Sequence, residues 1–308
     1  MRAAATLGAA FFALLAAAVP ARSGAQPAPA PEEIRIGGHG AAEGLIERVL
    51  DHRGAIRPLE GRLTFRQLIT TENLDREREV TASANALYRY VPVAGRHLWN
   101  LLEVDGEPIT GSRFRREERR YRKAAEAARK EAEEDRAAAE RNDPDYEVKP
   151  KNGMDLFYKI VADAIGLGMF EGELYQGASW RGRPMQVVRF RPRPGFRRAP
   201  NRIMSVVSGA EGELWVDPEA MQVARVRARL TRGASFLAGL FGRLYEGTAA
   251  DVESEFTGDM WLPDVVTMSV NARVFFFRRI RRRVTYDFLA FRTLTAEERR
   301  DAGGAPPR

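Results

Sequence analysis

The chain has 308 residues, no cysteine, and a formal net charge of +7 from 49 basic and 42 acidic side chains. Without thiols there are no disulfides, thiolate metal sites or cysteine nucleophiles, so stability must come from a buried core, which a chain of this length can supply. The modest basic excess favours anionic surfaces, and an export signal with no recognisable binding motif argues against nucleic acid as a partner.

Residues 1–25 carry an early Arg2, an apolar run from Leu7 to Val19, the helix breaker Pro20, and small residues at Ser23 and Ala25. The run is shorter than the roughly 20 residues that cross a bilayer. It predicts a secretory signal peptide cut after Ala25, the other reading being a retained anchor. No cysteine follows it to carry a lipid. Residues 26–40, beginning QPAPAPEE, predict a disordered spacer. The exported chain is then expected in a periplasm, as a single β-rich domain over 41–294.

From Ala41 to Arg53, Leu45, Ile46, Val49 and Leu50 fall at helical spacing. RLTFRQLITTE alternates, with Leu63, Phe65, Gln67 and Ile69 on one face, and predicts a half-buried strand. NALYRYVPV and RHLWNLLEV predict two more, followed by a tight turn at Asp105–Gly106. Residues 112–142 are almost wholly Ala, Glu, Arg and Lys, strong helix formers with little to bury. This stretch predicts a long charged helical insertion, a solvated connector or a docking arm. A second amphipathic helix carries Leu156, Phe157, Ile160, Val161, Ala164 and Ile165, with Asp155 or a neighbour as its cap. Strand-like runs separated by turn formers follow to about residue 294, the rhythm of an antiparallel meander. Two helical interruptions are expected, at 200–207 and at SFLAGLFGRLYEG (235–247). Residues 295–308 predict a flexible tail.

No catalytic constellation is visible. His39, His52 and His97 are isolated from one another, Gly-x-Ser-x-Gly is absent, and GLGMFEG has the wrong spacing and context for a phosphate cradle. Asp251, Glu253 and Glu255 alternate onto one strand face, which suits either cross-strand arginines or a divalent cation. The expectation is a non-enzyme without metal or cofactor. In SFLAGLFGRLYEG, Phe236, Leu237, Leu240, Phe241, Leu244 and Tyr245 follow the helical period. Gly239 and Gly242 weaken such a helix by about 1 kcal/mol each. It reads as a plug on the sheet or as a lid over a cavity.

In FFFRRIRRRV, Phe275 and Phe277 precede Arg278, Arg279, Arg281, Arg282 and Arg283. A reversal near 278–280 would leave two hairpin arms, with phenylalanines lining a core or cavity and arginines at its rim. Those arginines would meet either anionic head groups or Asp251, Glu253 and Glu255.

Three stretches carry a family resemblance: LIERVLDHRGAIRPLEGRLTFRQLITTENLD, GELWVDPEAMQVARVRARL, and VESEFTGDMWLPDVVTMSVNARVFFFRRIRRRVTYDF. With the signal peptide and the order of elements, the chain resembles periplasmic lipoprotein carriers of the LolA/LolB type, whose superfamily includes RseB/MucB-type regulators. The resemblance implies an α+β fold, an antiparallel half-open β-barrel covered by helices, here with the charged helical insertion added. It implies an apolar cavity for lipid or lipoprotein acyl chains, with Phe157 and Ile160 over the concave face beside the 235–247 segment. An envelope-sensing module that contacts a protein partner is the alternative.

Overall fold

The computed structural model describes residues 33–141, 153–196, 199–236, 242–274, 278–295 and 297–298. The expected signal peptide and the first part of the expected spacer (1–32) lie outside the described residues.

A short strand, β1 (Ile34–Gly37), and a helix, α1 (His39–Glu60), open the fold. Residues 34–40 are thus ordered rather than spacer, because β1 pairs with a later strand. Leu45, Ile46 and Val49 are buried as the helical spacing requires. A meander follows: β2 (Leu63–Leu74), β3 (Val80–Val93), β4 (Arg96–Val104) and β5 (Glu107–Pro108). Asp105 and Gly106 have φ of +52° and +83°, the paired left-handed geometry that joins two twisted strands most tightly. Helix α2 (Gly111–Glu140) packs Tyr121 and Ala125 on Val91, Val93 and Leu98. After α3 (Gly153–Gly166) come β6 (Phe170–Trp180), β7 (Arg183–Pro192), a short α4 (Arg202–Val207), β8 (Ala210–Asp217) and β9 (Gln222–Leu230). The chain closes with β10 (Ala234–Phe236), β11 (Gly242–Leu244), β12 (Ala249–Phe256), β13 (Trp261–Val274) and β14 (Arg278–Thr293).

These strands make one antiparallel 14-stranded sheet in the order β1-β6-β7-β8-β9-β12-β13-β14-β2-β3-β4-β5, with β10 and β11 attached at β13. The half-open barrel expected from the sequence is not what forms. Among the described residues the sheet is open: β1 pairs only with β6, and β5 only with β4. Barrel closure requires the terminal strands to meet in register, and here they are the shortest main-path strands, four and two residues long. Nor do helices cover the sheet evenly. α1 lies against β6 and β9, and α2 against β3 and β4.

The inner face holds two large apolar clusters. One joins Leu45, Ile46 and Val49 of α1 and Tyr158 of α3 to Leu174, Val188, Leu214 and Val226. The other joins Leu230, Leu244, Ala250, Val266, Met268, Tyr286 and Phe288. At one end Asp217 is a buried staple. It accepts hydrogen bonds from the Glu219 and Ala220 amides, from Trp261 Nε1 at 2.9 Å and from Arg183 Nε at 2.6 Å. That network explains the Trp-Val-Asp-Pro turn in bonding terms: one carboxylate satisfies the turn's amides and two side-chain donors.

The outer face is charged and paired strand to strand. Arg225 reaches Asp251 at 2.9 Å and Glu253 at 2.8 Å, Arg227 reaches Asp251 at 3.3 Å, and Arg229 reaches Glu211 at 2.6 Å. Glu255 meets Arg181 at 3.8 Å. The acidic row of β12 therefore faces arginines of β9, its register partner, and the turn arginine Arg181.

Candidate functional site

Alternation puts every second residue of the long strands on the inner face, and the register aligns those residues in rungs across β13, β14, β2 and β3. Phe288, Gln67 and Tyr88 form one rung. The next holds Val266, Tyr286, Ile69 and Ala86, and the next Met268, Val284, Thr71 and Ala84. The last holds Val270, Arg282, Asn73 and Ala82. All of these residues line one cavity of about 1380 Å³. Its wall continues through Phe65, Tyr90, His97, Trp99 and Leu101, and on the other side through Phe157, Ile160, Val161 and Ile165 of α3. Phe65 stacks on Tyr90 with ring centres 4.7 Å apart, and Phe288 and Phe291 lie 5.6 and 4.9 Å from Phe65. Because the wall draws on strands from β6 to β4, the sheet curves around this space.

The few polar groups inside are mostly spoken for. His97 Nε2 lies 3.0 Å from the Leu63 carbonyl, and burial pushes its pKa down, so the ring is neutral and donates. Burial pushes the Tyr158 and Tyr286 hydroxyls up to about 12, so both stay protonated. Near Leu63, Glu60 takes Arg53 Nη2 at 2.5 Å, and Arg53 and Arg57 both reach Asp155 at the start of α3, at 3.2 and 3.3 Å. Arg53 also lies 4.8 Å from the Tyr158 ring centre. Asp155 thus ties α3 to α1 instead of serving only as a local cap. Burial outweighs the attraction of Arg53 and raises the Glu60 pKa.

Of the residues singled out from sequence, Phe157, Ile160 and Leu244 line the cavity. Leu244 is 1% exposed within the core. It stands on a strand, not on the expected helix: Ala234, Ser235 and Phe236 pair with Leu244, Arg243 and Gly242. β12 covers β13 only as far as Ser269, and β11 takes the vacant edge at Ala272–Val274. Unsatisfied strand edge outweighed an apolar helical period that two glycines already weakened. Leu237, Leu240, Phe241, Phe275 and Phe277 lie outside the described residues, as do the side chains of Phe236 and Arg278.

The arginine run divides by parity. Arg278 pairs with Val274 and Ile280 with Ala272, so 278–280 are strand and the reversal precedes them. Arg279, Arg281 and Arg283 share the outer face. Arg283 Nη1 meets Glu72 at 3.2 Å, and the Arg279 guanidinium lies 5.2 Å from the Tyr245 ring centre. None reaches Asp251, Glu253 or Glu255, because β13 lies between β12 and β14. Among the run's described side chains Arg282 faces inward, its Nε 3.0 Å from Asn73 Oδ1.

The aromatic wall of β3 and β4 escaped the sequence reading, although Ala82, Ala84, Ala86, Tyr88 and Tyr90 alternate at period two. Among the described residues no group of three His, Asp or Glu is placed to hold a metal ion, and no helix is long and apolar enough to cross a membrane.

No protein-family model matches the chain, and no curated protein matches it. Among solved structures, a DUF1329 family protein from Desulfovibrio piger aligns over 84% of this chain and 94% of its own, with 8% identity and a TM-score of 0.31. A likeness that low carries no argument about this chain.

Proposed function

We propose that this is a non-catalytic periplasmic carrier that holds the acyl chains of lipids or lipoproteins on the inner face of its curved sheet. The cavity is the observation that carries the reading. At about 1380 Å³ it exceeds the roughly 300–1,000 Å³ of ordinary small-molecule sites. Its wall is mostly Val, Leu, Ile, Met, Phe and Tyr, its carboxylates Glu43 and Glu60 are paired and its buried His97 is neutral. On such a surface each methylene taken from water contributes about 0.8 kcal/mol. The sequence likeness to LolA/LolB-type carriers supports the same ligand class without the barrel, and the signal-like N-terminus supports export.

Native mass spectrometry of the protein purified without detergent tests this. The expected species begins at Gln26 and carries copurifying lipid. A protein with no bound lipid, no uptake of a fluorescent fatty acid and no captured lipoprotein would falsify the carrier reading.

A further inference from the structure

The rungs of the inner face change character towards one end. From Phe288 to Val284 the β14 contribution is apolar, and then Arg282 appears, flanked by Asn73 with Thr71 one rung below and with Ile280 beyond it where β2 no longer pairs. A guanidinium costs free energy when it is drawn from water onto an apolar wall, unless a charge or acceptor answers it. Of the other cations at or near the wall, Arg225 has Asp251 and Glu253 and Arg53 has Glu60, while Arg113, exposed at the start of α2, forms no ion pair among the described residues. Arg282 is half-buried, and its one neutral acceptor, on Nε, is a solvent-exposed contact at the mouth of the cavity. It forms no ion pair among the described residues, and its neighbour Glu72 points to the other face, towards Arg283. The carboxylates in the cavity wall, Glu43 and Glu60, both belong to α1 and are engaged by His39 and Arg53. Opposite Arg282 and its neighbour Val284, β3 presents only Ala82 and Ala84, both exposed, so the space above the guanidinium is open.

We infer that Arg282, oriented by Asn73, receives the anionic head group of the amphiphile whose chain occupies the cavity. Its remaining N–H groups form a planar fork suited to two oxygens of a phosphodiester or carboxylate. The chain then runs down the rungs towards Phe288, about 20 Å away at the usual rise per strand residue. This deepens the carrier reading and rests on it. The shared chemistry is a singly charged oxyanion on an alkyl chain.

The test is isothermal titration of lysophosphatidylglycerol and of the neutral monoacylglycerol with the same lauroyl chain, below their aggregation concentrations, and of sn-glycerol 3-phosphate alone. The anionic lipid should bind roughly tenfold tighter than the neutral one, the size expected of a charge-assisted hydrogen-bonded pair. Arg282→Gln should remove that preference and leave monoacylglycerol binding as it was. Arg282→Lys should keep part of it, and Arg281→Gln, on the outer face, all of it. If Arg282→Gln does not fold, Asn73→Leu is read the same way: a reduced preference supports the inference and an unchanged one overturns it. Equal binding of the anionic and the neutral lipid overturns the head-group site and leaves the carrier standing. Loss of the preference in Arg281→Gln as well means a general surface field, which also overturns it. Tight binding of sn-glycerol 3-phosphate by itself points to a free phosphate ligand and overturns it too. Failure of both lipids to bind removes the carrier reading itself.

Discussion

Arg53, Glu60 and Asp155 hold α1 to α3 through charges that have left water, and the energetics of such groups are asymmetric. A complete buried network gains little net stability, whereas one missing partner leaves an unanswered charge. The Glu60 pKa is raised in the folded chain, so the native state binds its proton more tightly than the unfolded state does. Between the ordinary glutamate value and the raised one, the native state therefore carries more protons, and stability falls as pH rises. Glu60→Gln should flatten that fall, measured as the free energy of urea unfolding at a series of pH values. An unchanged slope would assign the pH dependence to other groups. None of this was readable in sequence, because Arg53 and Asp155 lie 102 residues apart.

The hairpin of β13 and β14 shows how elements reuse one alternation for two purposes. Ile280, Val284, Tyr286 and Phe288 face the cavity, while Arg279, Arg281 and Arg283 face outward. Outward ion pairs in contact with solvent contribute little. Arg283→Glu, which sets two carboxylates together at Glu72, should lower the unfolding free energy by about 1 kcal/mol or less. Arg281→Glu, which has no partner to lose among the described residues, should leave it unchanged. Equal losses in the two variants would contradict the register. The two arms were legible in the sequence, since both are long β-rich runs. Their turn was placed at 278–280 because an inward arginine looked costly. The structure accepts that arginine and pairs 278–280 with β13. The helix expected over 235–247 failed for a related reason: its period was genuine, but the free edge of β13 was not visible locally.

At the scale of the whole molecule, one open sheet curves around a cavity that α1 and α3 wall on one side and β2, β3 and β4 wall on the other. The inward positions of β3 nearest Arg282 are Ala82, Ala84 and Ala86, and their small size keeps that side of the cavity accessible. Ala84→Trp would place a large ring in that space while disturbing no buried contact. Uptake of a fluorescent fatty acid should drop at least severalfold, with thermal stability within the roughly 0.5 kcal/mol typical of exposed substitutions. Full uptake by this variant would move the ligand's path elsewhere.

The sequence by itself determined what depends on local chemistry. It showed the strands from their period-two alternation, α1 and α3 from their helical spacing, the Asp105–Gly106 turn, and the charged helix from its Ala, Glu, Arg and Lys content. It also pointed to an apolar interior and to Phe157, Ile160 and Leu244 as parts of it. Only the tertiary structure decided what depends on which strands become neighbours. Pairing left β1 and β5 as two unjoined edges, so the sheet opens instead of closing. It converted an apolar segment into β10 and β11, gave the β12 carboxylates to β9 arginines, and set Arg282 apart from Arg279, Arg281 and Arg283. Strand order is a long-range property: it is chosen by the total burial and hydrogen bonding of the sheet, and no window of the chain contains that sum.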